Sequence, residues 1–374
     1  MLIAYDAKRA YHNHRGLGNY SRDLIRLMTI YAPQNTYLLF NPQQKNSIQL
    51  PFAEHIEQIT PNHLWKLMPS LWRSYGCRHE LNKFQPDIYH GLSGELPYFI
   101  ERLKFRKIVT IHDAIFMRYP EHYSTTYRHL FLQKCLYACS AADTIVAISE
   151  QTKRDCITYF GADERKIRVI YQGCNNQFRT IIDQQERLKI KLKYDLPDHY
   201  ILYVGAAEPN KNIEGIIRAM NIAKTELPLV VVCNLTKHIN RLADLAFKLH
   251  VAVKFMPNTP FADFPAIYQQ AECFAFMSFF EGFGIPVLEA VCSHIPILAA
   301  SGSCLEETGG KAALYAQPDN IDDIADKLDI ILTDQTIRQQ LIEASFDQAN
   351  KFSDPTIAQN LINLYQESMT YSTE

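Results

Sequence analysis

Residues 273–290 read CFAFMSFFEGFGIPVLEA. The apolar run at 273–277 predicts a buried strand, and Gly282 and Gly284 let the backbone after it approach a ligand closely. Pro286 suits the first turn of a new helix. The segment therefore predicts a helix N-terminus at the end of a strand, where N–H groups and the helix dipole can hold a phosphate.

Two glutamates of this segment offer carboxylates to the hydroxyl groups of a ligand. Glu281 stands in the loop, and Glu289 lies one turn into the predicted helix. Gly284 and Pro286 break the interval between them, so the two side chains do not form one helical stripe. The simpler alternative is an ordinary strand-to-helix turn with a solvated Glu281.

Apolar segments alternate with helical patterns on both sides of this stretch. Further strands are predicted at residues 201–204, 229–233, 253–255 and 297–300, and in the first half at 2–5, 37–40, 88–90, 108–111 and 144–148. Strands that alternate with helices indicate parallel sheets covered on both faces. We therefore predict an α/β protein with two facing Rossmann-like domains, whose ligands bind in the cleft beyond the carboxyl ends of the strands.

The length supports two domains, because 374 residues exceed what one hydrophobic core usually serves. A polar stretch at 183–193 follows the first set of strands. We place an N-terminal domain at 1–180, a second domain at 181–354, and a C-terminal helix at 355–374 that packs back on the first domain. With 47% hydrophobic and 21% charged residues, the composition excludes a disordered chain, a collagen and a coiled coil.

Several features predict a cytoplasmic protein. The longest apolar run, residues 273–280, is too short to span a bilayer. Asp6, Lys8 and Arg9 interrupt the place where a signal peptide has its apolar core. Nine cysteines without CxxC spacing favour reduced thiols over a disulfide framework or a zinc site.

Charge is distributed unevenly along the chain. Residues 1–175 hold 22 Lys and Arg against 15 Asp and Glu, whereas residues 176–374 hold 16 against 25. A basic half suggests an anionic partner such as a phosphate-rich substrate or a lipid surface. Drift in surface composition would produce the same difference.

Residues 63–78 contain both tryptophans, together with the cations Lys66, Arg73 and Arg78. Trp65, Met68 and Trp72 are spaced to share one helical face. Tryptophan beside cations suits a bilayer interface, so this stretch predicts a peripheral membrane contact of the first domain. The alternative is an amphipathic helix that faces the core and is broken by Pro69.

A second glycine loop, GAAEPNKN at 205–212, follows the predicted strand at 201–204. Gly205 at the strand end and Lys211 at the helix entry suit a diphosphate, with the lysine acting as a point charge. The alternative is a surface lysine beside an asparagine that caps the helix.

The first half carries two candidates at strand ends. Gly16 and Gly18 form a glycine loop, but Ser21 replaces the third glycine of a GxGxxG motif, which argues against a dinucleotide site. His112 follows the strand at 108–111, where it can bond a sugar hydroxyl or move a proton. The alternative is a structural histidine. No sequence pattern indicates covalent acyl chemistry or a required metal.

Taken in order along the chain, these segments resemble the retaining glycosyltransferases of family 4, which have the GT-B fold. Residues 281–289 match the E-x7-E motif of that family, and the resemblance extends to residues 16–20, 112–113, 148–150, 170–173 and 205–212. It is greatest to bacterial enzymes that build O-antigen, capsule or exopolysaccharide, many of which are mannosyltransferases.

The resemblance implies three catalytic residues. His112 would hold the donor sugar near the reacting carbon, Glu281 would lie against that sugar, and Lys211 would neutralise the leaving diphosphate. Glu289 would bond the ribose. The donor-binding residues that the resemblance implies are Gly16, Gly18, Gly205, Asn210, Lys211, Phe283, Gly284, Ile285, Val287, Leu288 and Glu289.

The implied activity is retaining transfer of a hexose, foremost mannose from GDP-mannose, to a growing, lipid-linked cell-surface glycan. We expect no cofactor, no metal and no nucleic-acid partner, a polyprenyl-diphosphate acceptor, and a location at the inner face of the cytoplasmic membrane. Ala206 and Asn210 stand where many relatives have arginine, so Lys211 and the helix N-terminus would bear more of the diphosphate charge. The alternatives are a nucleotide-sugar epimerase of the same architecture and a non-catalytic sugar-nucleotide-binding partner.

Overall fold

A computed structural model describes residues 1–50 and 55–370 of the chain. The chain forms two compact units. One consists of Met1–Gly173 with the C-terminal segment that begins at Asp354, and the other of Cys174–Ser353. The interruption of the first unit by the second means that the chain passes between them twice.

The second unit begins before residue 180, where the sequence put the boundary, because Phe178 belongs to its core. This side chain is fully buried, and its ring meets those of Phe261 and Tyr268 at centroid distances of 5.6 and 5.5 Å. The short turn Asn176–Arg179 therefore packs with the second unit.

The first unit is built on a parallel sheet. Its strands are β1 (Leu2–Asp6), β2 (Thr36–Phe40), β3 (Ile56–Ile59), β4 (Ile88–Gly91), β5 (Arg106–Ile111), β6 (Thr144–Ala147) and β7 (Ile167–Val169). They lie in the order β3-β2-β1-β4-β5-β6-β7. The first seven α-helices are α1 (Lys8–His12), α2 (Gly16–Tyr31), α3 (Pro69–Leu71), α4 (Arg78–Phe84), α5 (Ile115–Arg118), α6 (Thr125–Ala141) and α7 (Glu150–Phe160).

The second unit repeats this plan with six parallel strands. They are β8 (Ile201–Val204), β9 (Leu229–Cys233), β10 (Val253–Pro257), β11 (Cys273–Phe276), β12 (Ile297–Ala300) and β13 (Ala313–Ala316), in the order β10-β9-β8-β11-β12-β13. Every residue of β8, β9, β11 and β12 is buried, as expected of apolar runs covered on both faces. The helices are α8 (Gln184–Tyr194), α9 (Ile213–Ile222), α10 (His238–Lys248), α11 (Phe264–Tyr268), α12 (Ile285–Cys292), α13 (Leu305–Gly309), α14 (Ile321–Thr333) and α15 (Gln335–Lys351).

The last helix, α16 (Asp354–Thr370), belongs to the first unit and packs against α2. Arg26 on α2 pairs with Asp354 at 2.9 Å, and the apolar face of α16 buries Ile357, Leu361 and Tyr365. The first unit is thus completed by residues from the far end of the chain.

The strands of the two sheets follow the same order, and this order leaves a crevice at the carboxyl edge of each sheet. The chain leaves β1 toward β2 but leaves β4 toward β5, so the connections diverge at the carboxyl ends of β1 and β4. The same divergence occurs between β8 and β11. Such switch points are where open α/β sheets bind ligands. The predicted α/β fold class is confirmed in each unit.

Two further observations concern the cysteines and the helices. All nine cysteines are buried as thiols. Within residues 1–50 and 55–370, no helix has both the length and the apolar character needed to cross a membrane.

Candidate functional site

Two loops meet at the switch point of the second unit. The backbone N–H of Phe279, after β11, donates to the carbonyl of Asn210, after β8, at 3.0 Å. Beside this link, Lys211 Nζ contacts Glu281 Oε1 at 2.6 Å, and each side chain is 17% exposed. The two charges predicted separately from the two loops therefore form one ion pair that a ligand can reach.

Gly284 holds the turn that starts α12. Its φ of +92° lies in the left-handed region, and a Cβ there would approach Leu305 Cδ2 to 2.3 Å, so this position requires glycine. Thr308 Oγ1 donates to the carbonyl of Phe283 at 2.6 Å and fixes the preceding residue. The N-terminus of α12 is thus set rigidly beside the ion pair, in the arrangement that favours an anion.

Val287 and Leu288 take part in this turn through their backbones. Their N–H groups donate to the carbonyl of Gly284 at 3.0 and 3.2 Å, and both side chains are buried. Ile285, the first residue of α12, is partly exposed. The N–H groups of Val287 and Leu288 are engaged within the protein, so Ile285 is the more accessible of the three.

Glu289 lies one turn into α12 and is buried. The hydroxyl of Tyr268 donates to its Oε2 at 2.9 Å. Burial raises the pKa of Glu289 to about 8, although the hydrogen bond from Tyr268 opposes this shift. Without a ligand the carboxyl group is therefore largely protonated at neutral pH.

The loop after β8 is held at both ends. The N–H of Gly205 donates to the Val232 carbonyl at 3.0 Å, and the hydroxyl of Tyr203 donates to the Ala206 carbonyl at 3.0 Å. Asn212 caps α9 by accepting from the N–H of Gly215 at 3.1 Å. Lys211 is presented from a fixed backbone, which limits the freedom lost on binding a ligand.

The glycines of the first unit lie on a helix, so the predicted loop is wrong here. The helix α2 begins at Gly16 and therefore includes both glycines. A Cβ on Gly18 would lie 1.7 Å from the carbonyl oxygen of Asn13, whereas Gly16 faces open space. Glycine at position 18 thus lets the helix pass close to the backbone of Asn13. Gly16 lies in the first turn of the helix.

His112 follows β5 and is held by three contacts. Its Nε2 donates to the Leu92 carbonyl at 2.9 Å, and its own carbonyl accepts from Thr152 Oγ1 at 3.1 Å. The ring of Tyr20 packs perpendicular to the imidazole at a centroid distance of 4.6 Å. Burial lowers the pKa of His112 to about 4 despite the bond to Leu92, so the imidazole is neutral and Nδ1 carries a lone pair.

The switch point of the first unit holds an ion cluster. Arg73 contacts Asp6, at the end of β1, at 2.5 Å and Glu95, after β4, at 2.7 Å. Glu95 also contacts Lys134 at 2.9 Å. Burial opposes these charges, but Arg73 and Lys134 lower the pKa of Glu95 to about 2, and the two carboxylates raise the pKa of Arg73 above its usual range.

Sequence reasoning missed the residues that support the site. Tyr268, Leu305 and Thr308 stand on α11 and α13, and their sequence neighbourhoods contain no motif. Tyr20 ends the glycine stretch at 16–20, and its sequence context does not show that it contacts His112. Among the residues that the structure describes, no group of three or more His, Cys, Asp or Glu side chains is arranged to hold a metal ion.

Comparison with known families agrees with this geometry. Residues 184–348 match the family model described as glycosyl transferases group 1, and residues 28–178 match the model described as glycosyltransferase family 4. Together they span most of both units. The chain belongs to the family 4 glycosyltransferases. The resemblance inferred from its motifs is confirmed, and the protein is an enzyme that transfers glycosyl groups.

Curated relatives of this glycosyltransferase include enzymes of O-antigen synthesis. The O-antigen chain mannosyltransferase B of Escherichia coli is 26% identical over 373 residues, 94% of this chain and 96% of that protein. The serotype-specific mannosyltransferase WbdA of Escherichia coli is 28% identical over 264 residues, 68% of this chain. The aligned region spans only 32% of the length of WbdA.

Solved structures support the GT-B fold of this glycosyltransferase. Sucrose-phosphate synthase from Thermosynechococcus elongatus aligns over 100% of both chains with a TM-score of 0.79 and 18% identity. Anabaena HepE in complex with UDP and glucose aligns over 98% of this chain and 100% of its own, with a TM-score of 0.74 and 17% identity. At such identities the likeness concerns the fold alone.

Proposed function

We propose that this glycosyltransferase moves a hexose, foremost mannose from GDP-mannose, with retention of configuration to a growing cell-surface glycan on polyprenyl diphosphate. The observation that carries the proposal is the meeting of Lys211, Glu281 and the N-terminus of α12 at one switch point. A cation beside a helix N-terminus favours a diphosphate. The choice of mannose is supported by the similarity to O-antigen mannosyltransferases.

The proposed chemistry needs charge stabilisation more than a protein nucleophile. The bond between the sugar C1 and the diphosphate breaks, and its electron pair stays on the leaving phosphate. The acceptor hydroxyl bonds to the same face of C1, and its proton passes to that phosphate. Lys211 and the N-terminus of α12 would stabilise the developing negative charge without a metal ion, and Asn210 and Gly205 would shape the loop around it.

Glu281, Glu289 and His112 would orient the donor. Lys211 Nζ donates to Oε1 of Glu281, and the second carboxylate oxygen of Glu281 would accept from a sugar hydroxyl. Glu289 would accept from the ribose hydroxyls. Nδ1 of the neutral His112 would accept from a hydroxyl of the donor sugar, because Nε2 already donates to Leu92.

Calorimetric binding of GDP, UDP and ADP, each with its common sugar conjugates, tests the donor. The titrations are made with chelator and repeated with Mg²⁺, and turnover is followed by mass spectrometry with and without a lipid-linked acceptor. We expect GDP-mannose to bind equally well in both buffers and to be consumed only with acceptor. Sugar isomerisation without acceptor would indicate the epimerase instead, and binding without any turnover would indicate a non-catalytic binding protein.

We further propose that the first unit contacts the cytoplasmic face of the membrane, where a lipid-linked acceptor lies. The contact surface, which we call the apolar surface, comprises Leu64, Leu67, Met68, Leu71, Tyr75 and Phe99. Leu64 and Leu67 are 77% and 83% exposed, which is unusual for such large apolar side chains. Arg78 and Arg102 lie over the ring of Phe99 at 5.2 and 4.7 Å, so cations border the surface, as suits anionic lipids.

Two residues predicted for this contact lie elsewhere. Trp72 is 1% exposed and stacks on Phe40 at 6.0 Å, and Arg73 is buried in the ion cluster. The single helical face assumed from the sequence does not form, because the segment folds as three short turns, at His63–Leu67, Pro69–Leu71 and Trp72–Gly76. The prediction for Trp72 and Arg73 is therefore wrong.

Flotation with vesicles of phosphatidylglycerol and phosphatidylethanolamine tests the apolar surface. The double variant Leu64→Gln, Leu67→Gln should lose most binding to the vesicles while keeping the melting temperature. The matched control is Phe247→Gln, which removes an 82% exposed side chain from the second unit and should bind as the unaltered protein does. Equal flotation of all three proteins would contradict a membrane role for this surface.

A further inference from the structure

A chain of buried side-chain hydrogen bonds crosses the first unit. It runs from Tyr5 through Tyr365 on the last helix, then through His90 and Thr110 to Tyr20. The hydroxyls of Tyr5 and Tyr365 are 3.2 Å apart, and that of Tyr365 lies 2.8 Å from His90 Nδ1. Thr110 Oγ1 lies 2.8 Å from His90 Nε2 and 3.1 Å from the hydroxyl of Tyr20.

The chain follows one face of the sheet. Tyr5 on β1 lies opposite His90 on β4, which in turn lies opposite Ile108 on β5. Side chains two positions apart on a strand share a face, so Thr110 continues the row. His112 comes two residues later, just past the end of β5. The row therefore leads from the middle of the sheet to its carboxyl edge.

The members of the chain are uncharged over the ordinary pH range. Burial lowers the pKa of His90 to about 3 and raises the pKa of the hydroxyls of Tyr5, Tyr20 and Tyr365 above its usual range. A neutral imidazole donates from one nitrogen and accepts at the other. If Tyr365 donates to Nδ1 of His90, then Nε2 donates to Thr110, and if Tyr365 accepts from Nδ1, then Nε2 accepts from Thr110. The direction of each hydrogen bond in the chain therefore depends on the direction of its neighbour.

The chain ends against His112. Tyr20 Oη is fixed on Thr110, and the Tyr20 ring packs perpendicular to the imidazole of His112 at 4.6 Å. Within the described part of the chain, that imidazole forms one direct hydrogen bond, from Nε2 to the Leu92 carbonyl, and the ring can still rotate about it. We infer that Tyr20, Thr110 and Tyr365 are positioning residues that hold the imidazole of His112 toward the donor sugar, which rests on the role proposed for His112.

Thr110 offers a matched pair of variants that tests the middle of the chain. Thr110→Val keeps the shape and removes the hydroxyl, whereas Thr110→Ser keeps the hydroxyl. A misplaced reacting group costs turnover more than binding, so we expect Thr110→Val to lower kcat about tenfold and to change the KM for the donor less than about twofold. Thr110→Ser should restore most of kcat.

Tyr365→Phe tests the far end of the chain, and Tyr37→Phe is its control. Tyr37 is also fully buried, but its hydroxyl donates to the carbonyls of Met28 and Ala32, both at 2.8 Å, and not to the chain. Tyr365→Phe should lower kcat as Thr110→Val does, and Tyr37→Phe should not. The ring ¹⁵N signals of His112, assigned by selective histidine labelling and the His112→Ala variant, should shift in Tyr365→Phe and stay in place in Tyr37→Phe.

The outcomes separate this inference from the function on which it rests. Unaltered turnover in His112→Ala would overturn the proposed role of His112. If His112→Ala is inactive while Thr110→Val and Tyr365→Phe keep both kcat and the His112 signals, the positioning chain is overturned. Equal losses of kcat in Tyr37→Phe and Tyr365→Phe would also overturn it, because the effect would then follow from lost stability alone.

Discussion

The two switch points have the same strand order but use charge in opposite ways. In the first unit Arg73 is buried between Asp6 and Glu95, with contacts of 2.5 and 2.7 Å. In the second unit Lys211 meets Glu281 at 2.6 Å, and both side chains are partly exposed. In the first crevice the charges are paired with one another inside the protein, whereas in the second the ion pair is somewhat more exposed.

This difference shows that topology alone does not make a binding site. A buried ion costs several kcal/mol of desolvation, so it is stable only with full compensation from its neighbours. Arg73 is compensated by the carboxylates of Asp6 and Glu95, so little of its charge is left to bind a ligand. Lys211 retains partial exposure, and it can exchange a carboxylate for a phosphate at small cost.

Breaking the buried cluster should have the largest effect on stability. Arg73→Met leaves the buried Asp6 and the partly buried Glu95 without their main cation, and we expect the free energy of unfolding of the first unit to fall by about 3–5 kcal/mol. Denaturant unfolding measures this. Arg165→Met, which removes a 90% exposed arginine paired with Asp163, should leave the free energy of unfolding nearly unchanged. Similar losses in both variants would show that the buried ion cluster is no more important to stability than an exposed ion pair.

Removing the accessible cation should affect turnover and spare stability. Lys211→Met is expected to lower kcat about 10²–10³-fold, the loss typical of one group that stabilises a developing anion. The melting temperature should stay nearly unchanged. The control is Lys193→Met, since Lys193 pairs with Asp263 at 2.6 Å on the same unit and should leave kcat unaltered. Full activity of Lys211→Met would remove Lys211 from the mechanism.

The buried Glu289 predicts a pH dependence of donor binding. Its raised pKa of about 8 means that the free carboxyl is protonated at pH 6. If ribose hydroxyls donate to the carboxylate, binding releases that proton, so the affinity should rise up to about tenfold per pH unit from 6 to 8 and level off above. Calorimetry across this range tests it. Glu289→Gln should bind weakly and show no such slope, and a flat profile for the unaltered protein would contradict the proposed ribose contact.

Removing only Lys134 from the ion cluster should have the smallest effect on the free energy of unfolding. Lys134 is 26% exposed and is one of two cations beside Glu95, so Lys134→Met leaves the bond to Arg73 intact. We expect a loss of about 1 kcal/mol or less at neutral pH. The pKa of Glu95, which both cations hold at about 2 against the effect of burial, should rise toward its usual value, so the variant should lose less stability than the unaltered protein on acidification below the unfolded-state pKa. A loss as large as that of Arg73→Met would show that the two cations act as one unit.

The sequence predicted the central strands best. Predicted strands at 201–204, 229–233 and 297–300 are confirmed with identical bounds, because strands covered on both faces are continuous apolar runs. The strands β3, β7 and β13 were not predicted. All three lie at sheet edges, where one side lacks a neighbour and the apolar run is short or broken.

The charged residues of the site could be predicted from the sequence, but the residues that hold them in place could not. Glycines at strand ends indicated the loops that carry Lys211 and Glu281, because a backbone conformation that requires glycine can be recognised from the sequence. The partner of Glu289 is Tyr268, on a separate helix, and that pairing depends on how α11 packs. Trp72 was misjudged for a related reason, because helical spacing could not show that the chain changes direction near Pro69.

The return of α16 to the first unit has a consequence for synthesis of the protein. Tyr365 meets Tyr5 across 360 positions, so the first unit stays incomplete while the ribosome makes the whole of the second. Until α16 has been made, the surface of the first unit that later covers Ile357 and Leu361 stays exposed. The side-chain hydroxyls on the same face of the sheet stay exposed as well. The unit whose synthesis begins first can therefore be completed only after the last helix has been made.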